Sequence, residues 1–167
     1  MSEAEHIYLI AVGSNMRIAG VGEPRRVVER ALAALGEGNL TCKSRGPVVA
    51  TDPLGPSQRR YANSAAVVQT PLDPEAMLTR LQAIESAFER KRRGVRWRSR
   101  TLDLDIILWS GGAYHSERLE IPHPEFRHRD FVLAPAVTVA PEWRDPVSGL
   151  TLRQLHARLT KRRSPRR

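Results

Sequence analysis

The stretch RWRSRTLDLDIILW, residues 96–109, sets two aspartates two positions apart in an apolar run, directly behind a crowd of arginines. The apolar part reads as a β-strand. Side chains alternate along a strand with a period of two, so Asp103 and Asp105 are expected on one face and Leu104, Ile106 and Leu108 on the other. Two carboxylates about 6 Å apart at an effective dielectric near 20 repel by roughly 3 kcal/mol. A positive charge is therefore expected between them.

Working outward from that strand (Thr101 to Trp109), the preceding segment carries Met77, Leu81, Ile84 and Phe88 at helical spacing. Asp73-Pro74 supplies an N-cap and a proline at the first helical position. Ala65 to Thr70 predicts a strand, and Gly46 to Ala50 another, separated by the Pro/Gly loop TDPLGPSQRRY. Val28, Leu32 and Leu35 predict a helix entered at Pro24 and ended by Gly36. Ile7 to Val12 is a short apolar strand that turns at Gly13-Ser14-Asn15. The order β-α-β-β-α-β predicts an α+β, ferredoxin-like core, an antiparallel sheet with helices packed on one face. Phe131 to Val139 and Thr151 to Leu159 predict a C-terminal extension of helical or mixed elements. Residues 1–160 are expected to form one domain, and 161–167 (KRRSPRR) a disordered basic tail.

The chain of 167 residues is 41% hydrophobic, enough for a real core, and contains no apolar run long enough to span a membrane. The N-terminus lacks the pattern of a signal peptide, and a lone Cys42 excludes an internal disulfide or a cysteine-rich zinc site. These features predict a cytoplasmic protein. The net charge of +9 implies anionic partners. All but Lys43, Lys91 and Lys161 of the 27 cations are arginines. Arginine's planar fork suits bidentate phosphate contacts, although GC-rich codon usage enriches it too.

Three constellations carry chemistry. Asp103 and Asp105 read either as an exposed strand face balanced by arginines or as a carboxylate pair holding one or two Mg²⁺ beside nucleotide phosphates. The segment ERKRRGVRWRSR concentrates Arg90, Lys91, Arg92, Arg93, Arg96, Arg98 and Arg100 around Gly94, a loop able to close over a triphosphate. Trp97 within it stacks or packs. In IPHPEFRHRDF, His123 sits between two prolines, with Arg129 and Phe131 downstream. Tyr61 and Asn63 offer an aromatic face and an amide that suit a flat heterocycle. A basic RNA-binding module is disfavoured: aromatics make up only 5% of the chain, and the acid pair repels a nucleic-acid backbone.

Taken together, the blocks AVGSN, TDPLGPSQRRYANSA, LQAIESAFERKRRGVRWRSRTLDLDIILW and IPHPEFRHRDFVLAPAVTVAPEW resemble the 6-hydroxymethyl-7,8-dihydropterin pyrophosphokinase family over about residues 7–143. The resemblance implies a ferredoxin-like fold acting as a monomer or as part of a multifunctional folate enzyme. It also implies transfer of the β,γ-diphosphate of ATP to the pterin hydroxymethyl group, with release of AMP, in folate biosynthesis. By the same resemblance, Asp103 and Asp105 hold two Mg²⁺ ions, and Arg90, Arg92 and Arg100 neutralise the triphosphate. Gln82, Glu85, Ile106, His123 and Arg129 match positions on the ATP side, and Trp97 matches a loop tryptophan that closes the site. Tyr61 and Phe131 match the aromatics that sandwich the pterin, Asn63 its amide reader, and Thr51 and Leu54 the loop at its edge. Nucleic acid and membrane are not expected partners. Asp52 stands where the family commonly has proline, the loop after Gly55-Pro56 looks short, and Met16-Arg17 replace a leucine-glycine pair. Altered substrate affinity is the expected consequence.

Overall fold

The computed structural model describes residues 3–51, 61–89 and 101–161. Five strands form its main sheet: β1 (His6–Ser14), β2 (Thr41–Arg45), β3 (Val49–Thr51), β4 (Tyr61–Thr70) and β5 (Asp103–Trp109). Their order is β2-β4-β1-β5, every pairing is antiparallel, and β3 continues along the outer edge of β4 beyond β2. Helix α1 (Pro24–Ala34) joins β1 to β2, and α2 (Pro74–Glu89) joins β4 to β5. Each helix thus connects two strands that flank a third, which is the split βαβ order expected from the sequence. A small hairpin of β6 (Tyr114–His115) and β7 (Glu120–Ile121) follows, then a 3₁₀ turn (Phe126–His128), α3 (Asp130–Val139) and α4 (Leu152–Lys161). No helix among the described residues is long and apolar enough to cross a membrane.

The helices form where local chemistry starts them. Pro24 opens α1, whose Val27, Val28, Ala31 and Leu32 are buried on one stripe. Asp73 accepts the Ala76 N–H at 2.9 Å and so caps α2, which buries Met77, Leu81 and Ile84. In α4 the signal is a reciprocal pair: Thr151 Oγ1 accepts the Gln154 N–H at 3.1 Å, and Gln154 Oε1 accepts the Thr151 N–H at 3.0 Å. That capping box satisfies two donors which would otherwise lack partners.

The core helices lie on one face of the sheet, as expected, and the C-terminal extension covers the other. Helices α1 and α2 pack with Tyr8, Ile10, Val12, Leu104 and Ile106. The other face, with Leu9, Ala11, Ala65 and Ile107, is covered by Val132, Leu133 and Ala136 of α3 and Leu152 and Leu155 of α4. The physical reason is β1 itself: IYLIAV is apolar on both sides, and both must leave water. Two expectations shift. The strand placed at Gly46 to Ala50 is instead the pair β2 and β3; Gly46 lies between them, where an added Cβ would meet Thr138 Oγ1 of α3 at 2.8 Å. The alternation of β5 also breaks. Leu9 pairs with Leu108 but Ile10 with Ile106, so Ile107 is an extra, bulged residue. Leu108 therefore turns to the face that carries the aspartates.

One ion pair fixes the segment between α3 and α4. Arg127 donates to both carboxylate oxygens of Asp145, at 2.6 and 2.8 Å, and the Val147 N–H and Ser148 hydroxyl complete the set. The Asp145 side chain is fully buried. Burial alone would raise its pKa, yet the Arg127, Ser148 and Val147 bonds together hold it down, from the ordinary 3.8 to about 2. A depressed carboxylate pKa adds stability that is complete above the unfolded value and is lost as pH falls through the folded one. Acid unfolding should therefore steepen between about pH 4 and pH 2. Asp145→Asn should cost about 3 kcal/mol in urea unfolding at pH 7 and flatten that acid limb; a loss below about 0.5 kcal/mol would contradict this role.

Candidate functional site

Cross-strand neighbours of an antiparallel sheet share a face, so register alone decides which side chains meet. Asn63 of β4 pairs with Gly13 of β1, and Gly13 pairs with Asp103 of β5. In the next row on that face, Ala65 pairs with Ala11, and Ala11 with Asp105. The aspartates and the amide thus flank a floor of two small residues. At Gly13 an added Cβ would come within 3.0 Å of Asn63 Oδ1, so the amide would have to give way. The wall is the start of α3. Tyr61, Asn63, Asp103, Asp105, Arg129 and Phe131 all line one cleft of about 760 Å³.

The cleft's two sides differ in character. Tyr61 on β4 and Phe131 on α3 are 43% and 53% exposed, large rings open to the cleft. The Arg129 guanidinium lies over the Phe131 ring, 5.8 Å from its centroid. Asn15 also lines the cleft; its Oδ1 is buried and has no hydrogen-bond partner, as is Thr101 Oγ1 beside the entry to β5. Such orphaned buried oxygens are rare in folded proteins. Ser14 donates its hydroxyl to the Thr101 carbonyl and ties the end of β1 to that entry.

His123 is held at the acidic side by its own backbone. It follows a cis Ile121–Pro122 bond, and its N–H donates to the Ile107 carbonyl at 3.0 Å. Its Nδ1 accepts the Glu125 N–H at 3.1 Å, which leaves the neutral ring's proton on Nε2. Burial pushes the imidazole below its usual pKa; Asp105 pulls it up, and Arg129 pushes it further down. At neutral pH this histidine is an uncharged donor beside the carboxylates.

The remaining candidates separate. Glu85 and Gln82 stand on α2, across the sheet from the aspartate side chains. Glu85 Oε2 accepts the Leu104 N–H at 3.1 Å, so it grips the strand backbone between the two acids. Gln82 Oε1 accepts from Arg118 at 3.2 Å, and Arg118 also reaches Glu75 at 3.2 Å. Glu75 further accepts from Tyr114 and Ser116, and the Ser116 bond chiefly lowers its pKa. This cluster fastens the β6–β7 hairpin to α2. Ile106 is only 3% exposed and packs into the core on the α1–α2 side. Thr51 ends β3, paired with Tyr61. Leu54, Arg90, Arg92, Trp97 and Arg100 lie outside the described residues. Asp130, within the IPHPEFRHRDF block, and Arg118, outside every quoted block, carry no spacing signal of their own. Gly13 was legible as a turn but not as a floor.

Among the described residues no group of three or more acidic, histidine or cysteine side chains is placed to hold a metal ion. Two carboxylates on one face, open to a cleft, are a poor set for zinc. They fit Mg²⁺, which takes one or two carboxylates and completes its shell with phosphate and water oxygens.

An α+β sheet whose acidic strand end shares a cleft with exposed aromatics, an amide and an arginine defines an enzyme site for a small, flat, anionic or phosphorylated substrate pair. Comparison with known proteins narrows that class. The model of the 7,8-dihydro-6-hydroxymethylpterin-pyrophosphokinase family matches residues 9–141, and the chain belongs to this family of folate-biosynthesis pyrophosphokinases. It is 42% identical over 141 residues to the 2-amino-4-hydroxy-6-hydroxymethyldihydropteridine pyrophosphokinase of Pseudomonas aeruginosa, covering 82% of each chain. To the enzyme of the same name from Bacillus subtilis it is 32% identical over 161 residues, covering 95% of this chain and 93% of that one. The match to the Synechocystis enzyme, at 44% identity, spans 61% of this chain and about half (52%) of the relative. A crystal structure of Plasmodium falciparum HPPK-DHPS with pteroate superposes with a TM-score of 0.68 at 15% identity, over 97% of this chain and 44% of that one. That likeness supports the fold.

The grip of Glu85 on the acidic strand is directly testable. Glu85→Ala leaves the Leu104 N–H without its acceptor, and hydrogen exchange at that amide should accelerate by about tenfold or more relative to Ile10. Equal protection of Leu104 in both proteins would show that α2 does not fix the strand there.

Proposed function

We propose that this chain transfers the β,γ-diphosphate of ATP to the hydroxymethyl oxygen of 6-hydroxymethyl-7,8-dihydropterin, releasing AMP, as a Mg²⁺-dependent cytoplasmic monomer. The observation that carries the reading is the single cleft shared by Tyr61, Asn63, Asp103, Asp105, Arg129 and Phe131. Its aromatic side suits the two faces of a pterin, with the Asn63 amide at the ring's polar edge. Its acidic side suits the phosphates, with Asp103 and Asp105 holding two Mg²⁺ ions. When bound, such ions would neutralise the phosphate charge and stabilise the attacking and leaving oxygens.

The protein's own groups then have defined tasks. Asp103 and Asp105, fixed by the strand and the Glu85 grip, set where the cations sit. Arg129 and the Nε2–H of His123 donate to phosphate oxygens; in this reading Arg90, Arg92 and Arg100 extend that set, and Trp97 closes over the site. Tyr61, Phe131 and Asn63 hold the pterin so that its hydroxymethyl oxygen faces the β-phosphorus. That oxygen gives up its proton to solvent as it bonds to the β-phosphorus, the bond from the β-phosphorus to the α,β-bridging oxygen breaks, and AMP departs with the bridging oxygen. Positioning and charge neutralisation supply most of the acceleration in phosphoryl transfer, so no dedicated base is required.

Incubation with ATP, Mg²⁺ and the reduced pterin alcohol should release AMP and no ADP; ADP would identify an ordinary kinase. Asp103→Ala and Asp105→Ala should each lower Mg²⁺-dependent turnover on the order of 10²–10³-fold. Normal turnover in either variant would overturn the metal assignment.

A further inference from the structure

The sheet sorts the floor of the cleft into columns. Strand β4 brings Tyr61 and Asn63, β5 brings Asp103 and Asp105, and β1 runs between them. With a pterin over the β4 column and phosphates over the β5 column, the hydroxymethyl oxygen must lie above β1. There β1 presents Ala11, Gly13 and, at the next step of two, Asn15. Ser14 lines the cleft too, but its hydroxyl is committed to the Thr101 carbonyl. Asn15 is therefore the polar side chain nearest the path of the reacting oxygen on this strand.

Its surroundings leave two oxygens unmatched. Ser14 pairs with Ala62 and Gly13 with Asp103, so the same registers carry Asn15 to the level of Tyr61 on one side and Thr101 on the other. The Ser14–Thr101 bond keeps the ends of β1 and β5 together there. Asn15 Oδ1 and Thr101 Oγ1 are both buried, and neither has a hydrogen-bond partner among the described residues. Both atoms are acceptors, and each is costly to leave unpaired. Asn15 itself is only half-buried, and the last torsion of an asparagine side chain turns readily. Exchanging the two ends of its amide sets Nδ2 toward the Thr101 hydroxyl oxygen and Oδ1 toward the cleft. One turn then meets the first oxygen and presents the second to a ligand that donates.

We propose that Asn15 is a specificity-determining residue for the acceptor alcohol: its amide, oriented by a hydrogen bond from Nδ2 to the Thr101 hydroxyl, offers Oδ1 to the O–H of the substrate's hydroxymethyl group. The inference rests on the function proposed above and names the side chain that reads the reacting hydroxyl. The bond holds that oxygen over β1, between the ring column and the phosphate column. A methyl group in the same place cannot donate, and leaves the amide oxygen unpaired. The proton stays on the hydroxyl while it is bound to Asn15, and goes to solvent when the oxygen bonds to phosphorus.

The test uses the full chain with Mg²⁺ and a saturating non-hydrolysable ATP analogue. Calorimetry measures the binding of 6-hydroxymethyl-7,8-dihydropterin and of its 6-methyl counterpart. The wild-type preference for the alcohol should fall about tenfold in Asn15→Ala and about threefold in Thr101→Val, with the 6-methyl compound bound as before. Thr101→Ser, which keeps the hydroxyl, should retain the wild-type preference. In the wild-type protein, the Asn15 side-chain amide resonance should shift on adding the alcohol and stay in place with the 6-methyl compound. A preference unchanged in Asn15→Ala at a wild-type melting temperature would overturn the proposal. So would an Asn15 resonance that answers both compounds alike, a result that needs no variant to fold. Failure of both compounds to bind the wild-type protein would overturn the pterin reading itself, and this inference with it.

Discussion

The register of β1 against its two neighbours is the constraint on which the site depends. Pairing Gly13 with both Asn63 and Asp103 brings an amide and a carboxylate, forty residues apart in sequence, to opposite sides of one glycine. A slip of one residue in either pairing would turn those side chains to the other face, into the layer packed against α1 and α2. That layer is buried and apolar, with Tyr8, Ile10, Val12 and Leu104 in it, so a slipped register would bury carboxylates without partners. The hydrophobic pattern that folds the sheet therefore also composes the active cleft.

A second consequence concerns charge. Asp103 and Asp105 share one face of the sheet, and the backbone between them is gripped by Glu85 on the opposite layer. Around this acidic point the protein sets an uncharged histidine donor and an arginine resting on an aromatic ring. The net positive charge of the chain suits an anionic substrate. Support extends outward through the covered second face, where α3 presents Arg129 and Phe131 and is itself held by α4 and the Arg127–Asp145 pair.

Much of this was legible in the sequence. Asp103 and Asp105 were readable as a shared face from period two alone, and α1 and α2 from their apolar stripes and prolines. The edge strand β2 was not, because TCKSR alternates between exposed and half-buried positions and shows no apolar face. The bulge at Ile107 was equally hidden: an extra residue inside a uniform run of isoleucine and leucine leaves no compositional mark, yet it reverses Leu108. The contact sites followed the same division. Tyr61, Asn63 and Phe131 carry chemistry unusual for their surroundings and stood out. Glu85 was assigned to the nucleotide side by resemblance, whereas its described hydrogen bond runs to a strand backbone, a contact that depends on how α2 crosses the sheet. Asp130 of α3 and His156 of α4 meet only through the packing of two C-terminal helices, and no spacing announces that.

The central claim is that divalent cations gather at the β1–β4–β5 end beside the paired acids. Paramagnetic broadening by Mn²⁺, in the presence of a non-hydrolysable ATP analogue, measures this residue by residue. The account predicts strong, selective broadening at Gly13, Asn63 and Asp103, with His6 and Trp109 at the other end of the same strands left sharp. Broadening centred on His6 and Trp109, or spread evenly along the sheet, would contradict it.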